Sequence, residues 1–372
     1  MRTRTTHMSR KARMSRKWRI VAALVAGFTA MSLAACGGDG EAGTDSFAVG
    51  LLLPNRTTPR WEKWDRPLIE QQLKERCPSC TVEYANAEND VANQRQQMVS
   101  MITKGVRVLI LDPADTKALR SSIQEAREAG VPVVAYDRLA EGPISGFVSF
   151  NGAQVGRLQG EALLKAMADK GNDGNVVMMN GDPTSANAAW FRRGALSLLT
   201  GEVKIIKSYD TQGWRSENAH ANMSAAIAAL GPDRIGGVLA ANDDIAAGVI
   251  SALKSARVKE LPPVTGQDAD LGAVQRIVKG EQYMTVYKPF GTQAAAVAAM
   301  AVALGRGEDG RDVATTTFDS PTTKNIPSVL LTPTAVTVGN IEQTLVNDGV
   351  YTIDQICVPE LRRACDRAGL IR

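Results

Sequence analysis

Histidine is almost missing from this chain. Two of its 372 residues are histidine, and His7 lies in a basic leader, which leaves His220 alone for the rest of the molecule. No histidine is therefore at hand to activate a serine, and no Gly-x-Ser-x-Gly turn is present to carry one. Zinc is disfavoured too, because Cys77-Pro-Ser-Cys80 would need two more ligands. No Gly-x-x-x-x-Gly-Lys-Ser/Thr loop occurs, so ATP hydrolysis would have to reside in a partner. The Gly-x-Gly-x-x-Gly matches at 38–43 and 305–310 lack the strand-then-helix setting of a dinucleotide site. Acidic clusters such as Asn242-Asp243-Asp244 and Asp268-Ala269-Asp270 lack the spacing of a calcium loop. No metal, no cofactor and no catalytic residue is expected.

A membrane-spanning run is lacking as well. Ile20 to Ala35 is apolar but only 16 residues long, short of the ~20 that cross a bilayer comfortably. It follows eight Arg/Lys in residues 1–19 and ends in Leu33-Ala34-Ala35-Cys36, the layout of a secretory signal over 1–35. The Leu-Ala-Ala-Cys tetrad resembles a bacterial lipobox, which would make Cys36 the lipidated first residue of an extracytoplasmic, membrane-anchored protein. Residues 36–46 then form a flexible tether. An ordinary signal followed by a chance cysteine is the alternative. The formal charge of +4 comes from this leader. Its eight basic residues removed, 35 Lys and Arg face 39 Asp and Glu, a net charge of −4. A nucleic-acid partner loses its main support.

Of five cysteines, four remain beyond Cys36: Cys77, Cys80, Cys357 and Cys365. In an exported chain an even remainder favours two local disulfides. A redox dithiol at Cys77/Cys80 is the competing reading, but such a pair usually opens a helix after a strand. Here it follows a helical stretch and precedes the strand-like TVEYANA.

From Phe47 the chain repeats one phrase, a short apolar run closed by polar residues and then a segment of helical period. The runs are FAVGLLLP, TVEYANA, RVLILDP, VPVVAYD and GFVSFN, and then NVVMMNGD, VKIIKSYD, IGGVLAAND, PPVTGQD and YMTVYKP. That alternation predicts an α/β fold with two similar doubly wound parallel-sheet lobes joined by a hinge. The expected division is 47–152 with about 291–324 in the first lobe and 153–290 with about 325–345 in the second. Residues 346–372 form a C-terminal extension.

Ligands of open parallel sheets bind beyond the carboxyl ends of the strands. Those ends are unusually polar here: Asp137-Arg138, Asn151, Asn180, Asn242-Asp243, Gln267-Asp268 and Lys288. The segments PRWEKWD, VVAYDRL, SFNGAQVG, ANAAWFRRG, QGWRSENA, AANDDIAAG and GQDADLGAVQRIVKGEQYMTVYKP together resemble the type I periplasmic sugar-binding proteins, in particular the xylose-binding members that serve ABC importers. The resemblance runs from Phe47 to beyond Val336. It implies sugar contacts at Arg60, Trp61, Asp137, Arg138, Asn187, Trp214, Asn242, Asp268 and Lys288, with Asn151 and Arg192 as weaker candidates. Ala186, where a second asparagine usually stands, and the Cys357/Cys365 segment depart from the pattern.

The residue types suit a sugar independently. A pyranose needs charged planar partners for its rim of hydroxyls and aromatic platforms for its C–H faces. The resemblance thus implies a monomeric solute-binding protein that delivers a monosaccharide, D-xylose first, to an ABC permease by hinge closure. A sugar sensor is the rival use. A glycoside hydrolase would cite Asp243-Asp244 or Asp268/Asp270 as paired carboxylates, but such near neighbours point apart at a strand end. One acid of each pair is expected to cap a helix, Asp270 capping the one that begins near Leu271.

Overall fold

A computed structural model of the chain describes residues 46–171 and 174–371. The signal segment, the Cys36 site and most of the tether lie outside them. The first five apolar runs become strands β1 (Ala48–Leu53), β2 (Thr81–Asn86), β3 (Val108–Leu111), β4 (Val133–Tyr136) and β5 (Gly146–Phe150). The chain then crosses to β6 (Asn175–Asn180), β7 (Lys204–Asp210), β8 (Gly237–Ala240) and β9 (Met284–Tyr287). It returns for β10 (Thr316–Phe318) and β11 (Ile326–Leu331), and ends with β12 (Thr334–Thr337).

The first lobe holds a seven-stranded sheet in the order β10-β11-β5-β4-β3-β1-β2, parallel except for the edge strand β10. β3 and β4 are buried throughout, which their uninterrupted apolar sequences require of strands covered on both faces. The second lobe has the parallel set β7-β6-β8 and the antiparallel pair β12-β9.

PPVTGQD does not form a strand of its own. Pro262 and Pro263 have no N–H to offer a ladder, and only Val264 bridges to β8, at Val238. The segment nevertheless stitches β8 to β9: Thr265 N donates to Val238 O at 3.1 Å, Tyr283 N to Val264 O at 2.9 Å and Asp268 N to Val286 O at 2.9 Å.

The third crossing, expected at about 324–325, falls later. β11 pairs with β5 as far as Leu331 and so stays in the first lobe; Ile326 is buried there and Val329 joins the core of β1, β3 and β4. The chain changes lobes at residues 332–333, just before β12 pairs with β9. The structure pairs Cys77 with Cys80 and Cys357 with Cys365.

Two helices of the second lobe, Gly152–Asp169 and Ala186–Leu199, pack almost backbone to backbone. A Cβ at Gly156 would stand 1.9 Å from Phe191 O, and one at Gly194 2.2 Å from Ala153 O, so both positions require glycine. That close approach fixes the helix start that carries Asn187 and Phe191.

Candidate functional site

Between the lobes lies a narrow chamber walled by residues of both. The first lobe lines it with Thr58, Trp61, Asp137 and Arg138, the second with Asn187, Phe191, Trp214, Asn242, Gln267, Asp268 and Lys288.

The chamber's charge is organised around two carboxylates, one from each lobe. Asp137 follows β4 and Asp268 follows the stitched segment, and both have left-handed backbone, φ 54° and 94°. Such conformations cost a non-glycine residue free energy and persist where the surroundings enforce them. Lys288 Nζ lies 3.2 Å from Asp268 Oδ1 and 3.8 Å from Asp137 Oδ2. Burial pushes the Asp137 carboxyl up, but the charges of Lys288, Arg60 and Arg138 outweigh it and hold the group below its ordinary range.

Arg60, expected as a direct sugar contact, is not among the lining residues. Its guanidinium is fully buried and all five N–H groups are engaged. Nε and Nη2 grip Asp65 at 2.9 and 2.6 Å, Nη2 also donates to Gln293 Oε1 at 2.9 Å, and Nη1 reaches Asp137 at 3.2 Å and Asp268 at 3.5 Å. It braces both carboxylates from behind. Tyr136 Oη donates to the same Asp65.

The remaining lining groups are tethered at one end. Asn187 Nδ2 donates to Asp137 Oδ1 at 3.1 Å and to its carbonyl at 3.2 Å. Asn242 caps the helix Asp243–Ser255, its Oδ1 accepting from Ile245 N at 3.0 Å, which leaves its amide donors for a ligand. Gln267 Nε2 donates to Ala241 O at 3.2 Å. Arg138 donates to Pro113 O at 3.2 Å and lies 3.5 Å from Asp112. Burial pushes the Asp112 carboxyl well up, against the pull of Arg138.

Three aromatic rings complete the walls. Phe191 meets Trp214 edge-on at 6.4 Å, and the Arg138 guanidinium stands 5.7 Å over Trp61. Trp214 itself has φ 58°. It lies so flat on Gly181 that a Cβ there would come within 1.9 Å of the indole.

Asn187 Oδ1, Gln267 Oε1, Trp61 Nε1 and Trp214 Nε1 are buried and have no hydrogen-bond partner among the described residues. Leaving a buried polar group unpaired costs roughly 1–3 kcal/mol, so these four atoms beside one chamber are ones that a hydrogen-bonding guest could satisfy.

Two weaker candidates are not brought to the chamber. Asn151 caps the helix Gly152–Asp169, Oδ1 accepting from Gln154 N at 3.1 Å, and Arg192 is exposed on the outside of its helix. Asp270 occupies the N-cap position before Leu271 but makes no side-chain cap bond; its N–H donates to Asp243 Oδ2 at 2.9 Å instead. Asp243 pins the wall, accepting also from Gln282 Nε2 at 2.7 Å and Thr285 Oγ1 at 2.9 Å. Thr58 and Phe191 line the chamber without having been singled out, and Gln267 was named only as part of a polar strand end. Phe191 had a signal, since it falls four residues after Asn187 on the same helix face. Gln267 had one in its place beside Asp268 at a polar strand end. Thr58 had none.

The class defined by two α/β lobes closed over a polar and aromatic chamber is a bilobed solute receptor. The chain matches the periplasmic binding protein domain family over residues 49–309. It is 35% identical to the D-xylose-binding periplasmic protein of Escherichia coli (strain K12), across 82% of this chain and 90% of that protein. It is 32% identical to the multiple sugar-binding periplasmic receptor ChvE of Rhizobium radiobacter, across 84% and 93%. Among solved structures, an ABC transporter solute binding protein from Clostridium phytofermentans with bound beta-D-glucose superposes with a TM-score of 0.75 at 31% identity, covering 83% of this chain and 99% of that one. The chain belongs to the type I periplasmic sugar-binding proteins, a family of transport receptors and not of enzymes.

Proposed function

We propose that this protein captures one monosaccharide, D-xylose first among the candidates, between its lobes and delivers it to an ABC permease from a lipid anchor at Cys36. The observation that carries the reading is the set of four unpartnered buried polar atoms beside Asp137, Asp268 and Lys288. Carboxylates accept hydroxyl protons, Lys288 and Arg138 donate, and the amides of Asn187, Asn242 and Gln267 serve either way. Trp61, Phe191 and Trp214 supply the apolar faces. A narrow chamber walled by both lobes suits a single ring and not a chain of sugars. The relatives whose names carry xylose and multiple sugars, and the neighbour holding glucose, point to the same class of ligand.

Several charge-assisted bonds and the stacking faces, less the ordering costs, are enough for micromolar affinity, about −8 kcal/mol. A thermal-shift screen over aldopentoses and aldohexoses followed by calorimetry tests the reading. D-xylose is expected to raise the melting temperature most. A chain that responds to no monosaccharide overturns the proposal, and response to another sugar alone overturns the xylose assignment. The anchor is tested separately by palmitate labelling: label and membrane retention that persist in Cys36→Ala exclude lipidation at that cysteine.

A further inference from the structure

Residues 346–371 lie beyond the family match, which ends at 309. Their short helices Ile353–Ile356 and Arg362–Arg367 sit on the second-lobe helix Leu271–Lys279. There Ile356, Leu361 and Cys365 share one apolar cluster with Val274, Ile277 and Val278. Gln275 Nε2 donates to Gln355 O at 3.0 Å, and the Cys357–Cys365 bridge closes the segment on itself. The segment is therefore anchored to the second lobe.

One of its residues reaches the first lobe. The Tyr351 ring, 3% exposed, meets Trp64 edge-on with centroids 5.9 Å apart, and Lys63 Nζ stands 4.6 Å over it. Its hydroxyl lies near the Trp64 indole in the first lobe and near the backbone N–H of Leu271 in the second. Trp64 in turn stacks on Phe290 at 6.0 Å, and the Arg60 guanidinium lies 5.2 Å over that same ring. Phe290 comes two residues after Lys288. The contact between lobes thus bears directly on the two cations that hold the chamber's carboxylates, yet Tyr351 does not line the chamber.

We propose that the C-terminal segment is a latch on lobe closure, and that Tyr351 is its positioning residue. The latch rests on the sugar-binding reading above. A bond made only when the lobes are shut adds its free energy to the closed form, and affinity rises with the fraction of protein competent to hold the ligand. Sugar then stays bound longer without touching the latch, so the effect falls on the dissociation rate.

The test uses the mature, oxidised chain with D-xylose and D-glucose. Tyr351→Ala is expected to weaken whichever sugar the wild type binds by about 10-fold, mainly through faster dissociation, on top of the lower ligand-free melting temperature that truncating a buried ring brings. Tyr351→Phe keeps the ring and the Lys63 contact and should lose about threefold. A Kd within twofold of wild type for both variants overturns the latch, as does a lowered ligand-free melting temperature with unchanged Kd. Closure is also read without sugar, by energy transfer between dyes on Val99→Cys and Arg234→Cys, exposed sites on opposite lobes. Tyr351→Ala must reduce the closed fraction; an unchanged distribution overturns the latch. A wild type that binds neither sugar counts against the sugar reading instead, while this measurement still judges the latch.

Discussion

Asp137 and Asp268 belong to different lobes and share the same two cations. Arg60 Nη1 lies 3.2 Å from Asp137 and 3.5 Å from Asp268, and Lys288 Nζ lies 3.8 and 3.2 Å from the same two carboxylates. Each lobe supplies one cation and one anion, so bringing the lobes together assembles a four-charge cluster. Inside the closed chamber, with little water to screen them, these charges are held in place before a ligand arrives.

Asp268→Asn keeps the shape of that wall and removes one acceptor charge. Loss of charge-assisted bonds to sugar hydroxyls is worth roughly 2–3 kcal/mol, about a 100-fold weaker Kd. Calorimetry is expected to show that loss while circular dichroism stays native. Affinity within threefold of wild type removes Asp268 from the sugar contacts.

Arg60→Met distinguishes bracing from ligand contact. It strips Asp65, Asp137 and Asp268 of a buried partner, and breaking such a network costs roughly 3–5 kcal/mol. The expected result is a large fall in the midpoint of chemical unfolding even without sugar. Near-wild-type stability with lost binding restores Arg60 as a direct contact.

Gly181→Ala tests the platform without touching a polar group. Its Cβ would collide with the Trp214 ring at 1.9 Å, so the indole must move away from the chamber. Affinity is expected to fall at least 10-fold, because a displaced aromatic platform forfeits its stacking contribution of about 1 kcal/mol and also disturbs the neighbouring Phe191. Unchanged affinity rules Trp214 out as a platform.

The strands were legible because β1, β3 and β4 are short apolar runs with polar ends, and burial on both faces demands just that sequence. The convergence of Asp137, Asn242, Asp268 and Lys288 was legible for a related reason, since ligands of parallel sheets meet strand ends, whereas Asn187, on a helix, came from the family resemblance alone. The bracing partners of Arg60 were not legible, because nothing local reveals that Asp65 fills its fork from five residues on. The late third crossing was hidden because the β11 sequence fits either sheet, and only its pairing with β5 decides. Thr58 owes its place to the closure of the lobes, which no local pattern records.

Asp244, half-buried where the second lobe meets Thr58 of the first, carries a pH dependence. Asp244 opens a second-lobe helix, and Thr58 of the first lobe lies beside it. Burial, then the charges of Asp270 and Asp268, push its carboxyl up to about 8, against the weaker pull of Thr58 and Arg276. Burial likewise raises Asp243 to about 7 despite Arg276, and raises Asp270 well above its ordinary value beside Asp243 and Asp268. A carboxyl whose pKa is higher in the closed form than in the open one favours closure while protonated. The advantage is undiminished below the ordinary value near 4 and is lost progressively as pH rises toward 8. Sugar affinity should therefore decline between pH 6 and 8. Binding at pH 7 should take up protons, seen as a calorimetric enthalpy that varies with the ionisation enthalpy of the buffer. Asp244→Asn is expected to flatten the profile and reduce the uptake. A wild-type affinity that stays level from pH 6 to 8, with no buffer dependence, means that Asp244 does not change protonation on closure.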